Sequence, residues 1–322
     1  MHNSIILDIP SANFISLQFT VYTSADSQWA QVAHLALAQK GVSEDKYDLK
    51  EIALSKTQEP KIVRLSACGN NVCNHLVTGG NFDPEYIKVN PNGTIPSLTS
   101  PSLDKPLIQS LDILRYIDAF EGESTLVPSD PAVKAKAQQI LDLVHSDDAS
   151  TNTVFLLARD DKEMKGKQTG FWKDYVGNRQ ARLEKEQAAN PNHPFYGPKV
   201  QENGGLNKLY TTEIGEEHKK FFKNSDDAYK AFAQVLDKLD SLLVLPYAAG
   251  DVVTEADFHV TVWLAHALFG VGTDATRIQD FSVLEKLIQK SVPSFTIGDR
   301  TRQWWASIAA TDAFKKVYPT LH

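Results

Sequence analysis

Three hydroxyl side chains lie where an apolar, strand-like segment gives way to a helical one: Tyr22, Ser24 and Ser27. A helix N-terminus stabilises an anion by about 0.3–1 kcal/mol, and a hydroxyl donor to a charged acceptor adds about 1.5–3 kcal/mol. At ~1.4 kcal/mol per pKa unit, the two effects together lower a thiol pKa by roughly two units. That is enough to make a thiolate, the nucleophilic form, dominant at neutral pH. Ser27 is the candidate that supplies both effects, and the alternative is that it only caps the helix.

Two further short motifs offer polar groups to a peptide-like ligand. Ile95-Pro96 follows the turn Asn90 to Gly93, and a cis proline there would expose the backbone N–H and C=O of Ile95 for pairing with an added strand. An ordinary trans proline on an edge strand is the alternative. Gln109 and Ser110 open a predicted helix, where free backbone N–H groups attract a carboxylate. Their alternative role is plain capping, which can coexist with ligand binding.

Cysteine and histidine give little support for other chemistry. The two cysteines, Cys68 and Cys73, stand in CGNNVC, far from the Ser27 junction. Without a second pair they make a poor zinc site, so we expect no metal and favour free thiols over a regulatory disulfide. The nine histidines show no HExxH or comparable spacing. His145 and His266 are candidates for a substrate pocket, although satisfied core histidines are commoner.

The first 125 residues have the pattern of a small α/β unit. Strands are predicted at 17–22, 47–52, 94–98 and 106–108, and helices at 29–41, 82–89 and 110–121. Residues 57–81 are rich in Gly and Asn without a period, which indicates an insertion. It is either a lid over a neighbouring pocket or a peripheral elaboration.

The remaining residues, 126–322, have the pattern of an all-helical domain. Asp130-Pro131 predicts an N-cap and first helical residue. Further helices are predicted at 170–189, 225–245, 254–269, 281–290 and 300–310. Thr254 and Asp257 form a structural capping box on a helix that is apolar nearly all round, and therefore buried. Phe171, Trp172 and Tyr175 are interpreted as packing residues rather than pocket residues.

Composition excludes several classes of partner. The net charge of −7 is unfavourable for binding nucleic acid or an anionic membrane. No apolar run approaches the roughly 18 residues of a spanning helix, and the N-terminus lacks the basic region of a signal peptide. Sparse cysteine is typical of a reducing compartment. We expect a cytoplasmic protein that acts on a small molecule.

Four of these segments together resemble the glutathione transferase superfamily. They are 22–42 around Ser27, 90–98 with its proline, Gln109 to Leu114, and the capping box from Thr254 to Asp257. The resemblance covers residues 17–56, 82–125 and about 225–318, and it omits the insertions 57–81 and 160–220. It resembles the serine-type classes, since Ser27-Gln28-Trp29 stands where those classes have a Ser-Pro-Phe-like triplet. The enlarged helical part is similar to that of fungal members.

The resemblance implies a thioredoxin-like first domain, 1–125, followed by an all-α domain, 126–322. It implies glutathione as co-substrate, bound by Ile95, Pro96, Gln109 and Ser110, with Ser27 activating its thiol; Ser24 and Tyr22 are the alternative catalytic residues. The thiolate would attack a mostly apolar electrophile, aromatic compounds included, in detoxification or in ether cleavage. A homodimer is implied as well. Gln28 in place of proline, and Gln109 where the family more often has Glu, leave open a non-catalytic binding or regulatory protein.

Overall fold

The computed structural model describes residues 18–53, 79–123 and 125–322. Cys68, Cys73 and most of the 57–81 insertion lie outside these residues. The first part contains β1 (Phe19–Thr23), α1 (Ala30–Lys40), β2 (Tyr47–Glu51), α2 (Pro84–Val89), β3 (Ser97–Thr99) and α3 (Ser110–Phe120), with a short 3-10 helix at Gly80–Phe82. The second part contains α4 (Pro131–Val144), α5 (Asn152–Leu156), α6 (Asp161–Lys167), α7 (Phe171–Ala189), α8 (Tyr196–Thr211), α9 (Glu216–Leu242), α10 (Glu255–Gly270), α11 (Ser282–Gln289), α12 (Asp299–Ala309) and α13 (Asp312–Val317). A small-sheet α/β unit followed by a helical one is the predicted fold class, which is confirmed.

The sheet of the described residues has the order β2-β1-β3. β1 runs parallel to β2, with Phe19 opposite Tyr47, and antiparallel to β3, with Val21 opposite Leu98. Phe19 and Val21 are fully buried, because alternate residues of β1 face α1 and α3. The predicted strand at 106–108 is wrong: only Leu107 pairs, exchanging backbone hydrogen bonds of 2.9 and 2.8 Å with Leu98. Pro106 has no N–H to extend that pairing.

α1 begins and ends close to the predicted residues. Gly41 takes the left-handed conformation (φ 63°), and its N–H closes the last turn onto Ala38, as a C-terminal glycine does. The predicted piece at 82–89 divides in two, because Asp83 caps Pro84 as the first residue of α2. α9 starts at Glu216, earlier than the predicted 225, because the His218 ring accepts from the Gly215 N–H (3.1 Å) and organises that first turn.

The capping box on α10 is confirmed, and it joins several elements. The buried Asp257 carboxylate accepts from the Thr254 N–H (2.8 Å), the Thr254 hydroxyl (3.0 Å), the Ala248 N–H (2.7 Å) and the Trp304 indole (2.8 Å). The charge is thus fully hydrogen-bonded, as a buried carboxylate requires. These bonds tie the start of α10 to Ala248 and to Trp304 on α12, and so fix its position within the helical part.

Two ties hold the helical part against the first part. Arg115 on α3 donates to both carboxylate oxygens of Glu255 at the start of α10, each at 2.8 Å, which is the strong bidentate geometry. Asp118 accepts from the N–H groups of Thr125, Leu126 and Val127 in the connecting segment. The start of α10 is therefore fixed beside the start of α3.

The second predicted insertion, 160–220, is helical and packs onto the first part. α7 and α8 form an antiparallel pair whose apolar contacts reach the 3-10 helix and α2; the buried cluster comprises Phe82, Ile87, Leu183, Phe195 and Tyr196. The Tyr196 hydroxyl donates to the Phe82 carbonyl (3.0 Å). A Cβ at Gly93 would come within 2.6 Å of the Phe195 ring, so the turn before Ile95 needs glycine for both its φ of 61° and its contact.

Candidate functional site

Ser27 lies in the turn that leads into α1, and its hydroxyl does not cap the helix. The Ser27 N–H bonds to the Ser24 carbonyl (3.1 Å), and the Ser27 carbonyl accepts from the Ala30 N–H (3.1 Å). α1 has Trp29 at its N-cap position and no side-chain cap. The capping alternative for Ser27 is therefore wrong, and its place is just before the helix start.

The Ser27 hydroxyl donates instead to the Ile95 carbonyl, at 3.0 Å. The Ile95-Pro96 peptide bond is cis, as the sequence predicted. Two predicted site segments, separated by 68 residues, thus meet at one backbone carbonyl. Among the described residues, nothing accepts from the Ile95 N–H.

Side chains that sequence reasoning did not assign hold the cis-proline loop. The Asn90 amide donates to the Thr94 carbonyl (2.7 Å) and to the Ser97 hydroxyl (3.0 Å). The Tyr86 hydroxyl donates to the same Thr94 carbonyl (2.5 Å), and burial raises its pKa to about 12. Asn90 is fully buried, and a buried amide in a turn is the sequence signal that could have indicated this role.

The two alternative catalytic hydroxyls lie in different surroundings. Ser24 is 2% exposed. Tyr22 is half-buried, with its ring centroid 5.8 Å from that of Tyr86 and the Lys50 ammonium above its ring. Neither is brought to Ile95 in the way that Ser27 is. The catalytic assignment among the three hydroxyls stays a prediction.

Gln109 and Ser110 are at the start of α3 as predicted, but they face different ways. Gln109 is exposed at the N-cap position and its side chain caps nothing. Ser110 is 6% exposed, and its hydroxyl lies 3.2 Å from Nε2 of His259 on α10. Nδ1 of His259 lies 2.8 Å from the Glu255 carbonyl, which can only accept. Nε2 of the neutral ring must then be the acceptor, so the Ser110 hydroxyl donates to His259.

Burial lowers the pKa of His259 to about 3, so the ring is neutral at physiological pH. The Ser110 hydroxyl proton is therefore committed to the protein interior. What α3 offers a ligand is its first backbone N–H groups and the exposed Gln109 amide. The sequence does place His259 one turn into a buried helix, but nothing in that position indicates that Ser110 is its partner.

A cavity of about 830 Å³ opens beside the Ser27 turn and runs under the helical part. Asp26 and Gln28, on either side of Ser27, line it, although Ser27 itself does not. Its aromatic wall is formed by Trp29, Phe155, Phe171, Trp172, Tyr175 and Phe269. The interpretation of Trp172 and Tyr175 as packing residues is confirmed, since both pack against a buried cluster. Together with Phe171 they also line the cavity, a role that the sequence interpretation did not give them.

Two histidines complete the wall, in the pocket role that the sequence left open for them. The His145 ring stacks on Trp29 (4.2 Å between centroids), and the His266 ring stacks on Phe155 (4.3 Å). Burial lowers the pKa of both rings, that of His266 to about 4. Both are therefore neutral near pH 7, and the wall suits an uncharged, flat compound.

The described residues contain no group of three His, Cys, Asp or Glu side chains placed to hold a metal ion. No helix within the described ranges is both long and apolar enough to cross a membrane.

Comparison with known proteins agrees with this geometry. The family described as "Glutathione S-transferase, N-terminal domain" matches residues 26–119. A Drosophila melanogaster protein described as "Probable maleylacetoacetate isomerase 1" is 28% identical over 125 residues, which are 39% of this chain and 40% of that relative. The match therefore spans less than half of the relative's length.

Solved structures resemble nearly the whole chain. The β-etherase LigF from Sphingobium sp. strain SYK-6 superposes with a TM-score of 0.57 and 16% identity, covering 94% of this chain and 99% of that one. A glutathione transferase homologue from Sulfitobacter, solved with bound glutathione, gives 0.50 and 13%, covering 94% and 97%. At these identities the likeness shows the fold alone. Residues 26–119 therefore match the N-terminal domain of glutathione S-transferases, and the chain as a whole has the fold of the LigF structure.

Proposed function

We propose that the protein is a serine-type glutathione transferase in which Ser27 stabilises the glutathione thiolate. The observation that carries the proposal is the Ser27 hydroxyl held at the Ile95 carbonyl, beside the aromatic cavity. The Ser27 turn and the Ile95-Pro96 loop together thereby offer a backbone that can bind a peptide and a hydroxyl that can donate to its sulfur. The donor and the nearby helix start favour the anionic sulfur.

Glutathione binds by pairing its cysteinyl residue with the backbone of Ile95. Within residues 18–53, 79–123 and 125–322 the Ile95 N–H has no acceptor, and its carbonyl accepts from the movable Ser27 hydroxyl, so both can pair with an extended peptide. Once a peptide N–H occupies the carbonyl, the Ser27 hydroxyl is free to turn toward the sulfur. The bound glutathione in the Sulfitobacter relative supports this choice of co-substrate.

The γ-glutamyl end binds at the start of α3. Its carboxylate accepts from the first backbone N–H groups of that helix, near Ser110, where the helix dipole favours an anion. The exposed Gln109 amide lies at the same end. Pro96, through its cis peptide bond, sets the direction of the protein backbone between the cysteinyl and γ-glutamyl subsites.

The second substrate is an uncharged aromatic or other apolar electrophile in the 830 Å³ cavity. Glutathione-dependent ether cleavage is one such reaction, and the fold likeness to a β-etherase is compatible with it. Ether cleavage differs from conjugation only in the leaving group. Detoxification of such compounds is the cellular role we propose.

A conjugation assay with 1-chloro-2,4-dinitrobenzene, run beside retention on immobilised glutathione, tests this function. Retention with turnover above the uncatalysed rate supports the transferase. Retention without turnover on this or an aryl ether substrate would instead support the non-catalytic binding protein. Absence of both retention and turnover would contradict each reading.

Two broader features belong to the same proposal. The chain divides into a glutathione-binding domain, 1–125, and a helical domain, 126–322, and it acts in the cytoplasm, where glutathione is kept as the thiol. It forms a homodimer, and light scattering at micromolar concentration should give twice the chain mass of 35.7 kDa. A measured mass equal to that of one chain would contradict the prediction of a homodimer.

A further inference from the structure

Gln28 follows Ser27 directly and lines the cavity. Its amide oxygen accepts a hydrogen bond from the Thr151 hydroxyl at 2.7 Å. The Thr151 oxygen also lies 3.0 Å from Nδ1 of His266 on α10. A side chain of the first part is thus bound by Thr151 of the helical part, which His266 contacts in turn.

The protons in this chain of bonds can be assigned. A threonine hydroxyl has one proton, and that proton points at the Gln28 oxygen. Nδ1 of His266 must therefore carry its own proton and donate it to the Thr151 oxygen. The ring is neutral at physiological pH, because burial lowers its pKa to about 4, and its stacking on Phe155 fixes its plane. Thr151 is 4% exposed, so water does not compete strongly for these bonds.

The consequence is a defined orientation for the Gln28 amide. Its oxygen is occupied on the side of Thr151, and nothing among the described residues accepts from its nitrogen. Two N–H groups are consequently left for a molecule in the cavity, one residue from Ser27.

Resting on the proposed function, we propose that the Gln28 amide donates to an oxygen on the second substrate that gains negative charge as the thiolate attacks. Thr151 and His266 are positioning residues that keep the amide nitrogen on the cavity side. The substrate class is an α,β-unsaturated carbonyl compound with an apolar body that suits the aromatic wall.

The step balances without a further oxidant or reductant. The thiolate sulfur forms a bond to the β-carbon, the C=C π pair shifts, and the carbonyl oxygen becomes an enolate that accepts from Gln28. A proton from water then reaches the α-carbon and gives the thioether. Preorganised donors of this kind act on charge that develops in the transition state.

The test compares two electrophiles on the same protein. 4-Phenyl-3-buten-2-one gains its charge on oxygen, whereas benzyl iodide expels iodide and develops no oxyanion. Gln28→Met removes the donor, and Gln28→Glu keeps an acceptor for Thr151 while removing the N–H groups. Both variants should lower kcat/KM for the enone at least tenfold, toward the roughly 100- to 1,000-fold of an enclosed oxyanion donor, and change the iodide reaction less than threefold.

The positioning role has its own pair of variants. Thr151→Val should lower the enone-to-iodide ratio severalfold, because the amide can then turn over, and Thr151→Ser should restore the ratio. Melting temperatures check that each variant is folded. A merely structural role would lower both reactions together.

The outcomes separate this inference from the proposed function. Wild-type protein inactive on both electrophiles would overturn the transferase and this inference with it. Wild-type protein active on the iodide alone, or an unchanged ratio in Gln28→Glu, would overturn only the role of Gln28. An equal fall on both substrates would likewise reduce Gln28 to a structural residue.

Discussion

The two sides of the cavity are built in different ways. On the α/β side the candidate groups come from turns and helix starts, and in the proposed binding mode most of them are backbone groups: the Ile95 peptide groups and the first N–H groups of α3. On the helical side the wall is made of side chains from α5, α7 and α10. A co-substrate that never changes can be recognised by backbone, whose geometry survives substitution. A variable second substrate is recognised by side chains, which evolution can replace one at a time.

The hydroxyls of the first side are also already occupied within the protein. Ser27 donates to Ile95 and Ser110 donates to His259. The two bonds differ in what a ligand can do to them: the Ser27 bond is at a surface turn, whereas the Ser110 bond is buried against α10. Only the first can be exchanged for a bond to glutathione at small cost.

The largest effect is therefore expected at Ser27. Ser27→Ala should lower kcat roughly 10- to 1,000-fold, the loss for one donor to a developing anion, and leave the glutathione KM nearly unchanged because Ile95 and α3 remain. Steady-state kinetics with both substrates varied will measure this split. Ser24→Ala is the matched control, and an inactive control with an active Ser27→Ala would move the catalytic role to Ser24.

On the helical side of the cavity we expect a substitution to change the KM for the second substrate rather than kcat. Trp172→Ala removes an aromatic wall residue, so we expect the KM for an aromatic electrophile to rise about tenfold, corresponding to ~1.4 kcal/mol. The glutathione KM should stay within about twofold. Phe222→Ala, a half-buried aromatic on α9 outside the cavity, is the control. A parallel rise in both KM values would show that the two sides are not independent.

How much could be predicted from the sequence follows the same division. The cis Ile95-Pro96 bond, the Asp130 cap and the Thr254–Asp257 box were predictable, because each depends on residues within a few positions of one another. The cavity role of Phe171 and Trp172 was not predictable, because α7 has few apolar residues and its sequence does not indicate what its first turn faces.

Long-range pairs were beyond local patterns altogether. Ser110 and His259 are 149 residues apart, and Thr151 and Gln28 are 123 apart. Neither member of either pair has a spacing that indicates the other. Such contacts arise from the docking of α10 and α5 against the first part, which no periodicity encodes.

A pH experiment sharpens the contrast at the buried Ser110–His259 contact. In the unfolded chain His259 takes up a proton near its ordinary pKa of 6.5, whereas in the native protein burial, with the nearby His145 and Arg115, lowers the pKa to about 3. The unfolded state thus binds more protons below pH 6.5, and stability falls as the pH decreases from there. At pH 5.5 this one ring lowers the free energy of unfolding by about 1.4 kcal/mol.

Urea unfolding at pH 7.5 and 5.5 will measure that difference. His34 and His266 add to it in the wild type, since burial lowers the pKa of each to about 4. His259→Gln should reduce the pH-dependent loss by about 1.4 kcal/mol, whereas His193→Gln, at an exposed position, should not. An unchanged pH dependence in His259→Gln would mean that the ring is protonated in the native protein.

The smallest effect is expected at Gln109, on the edge of the α/β side. Gln109 is exposed and its side chain caps nothing, so Gln109→Glu changes charge without disturbing packing. A carboxylate there would attract the γ-glutamyl ammonium while repelling the γ-glutamyl carboxylate, and an exposed ion pair contributes only about 0.2–1 kcal/mol. We expect the glutathione KM to fall two- to threefold at low ionic strength, with the gain lost in 0.5 M salt because screening weakens exposed pairs. Isosteric Gln109→Met is the uncharged control and should raise KM slightly at both ionic strengths. A fall in KM for Gln109→Glu that does not depend on salt would contradict the ion pair. It would instead assign the effect to hydrogen bonds between the side chain at position 109 and glutathione.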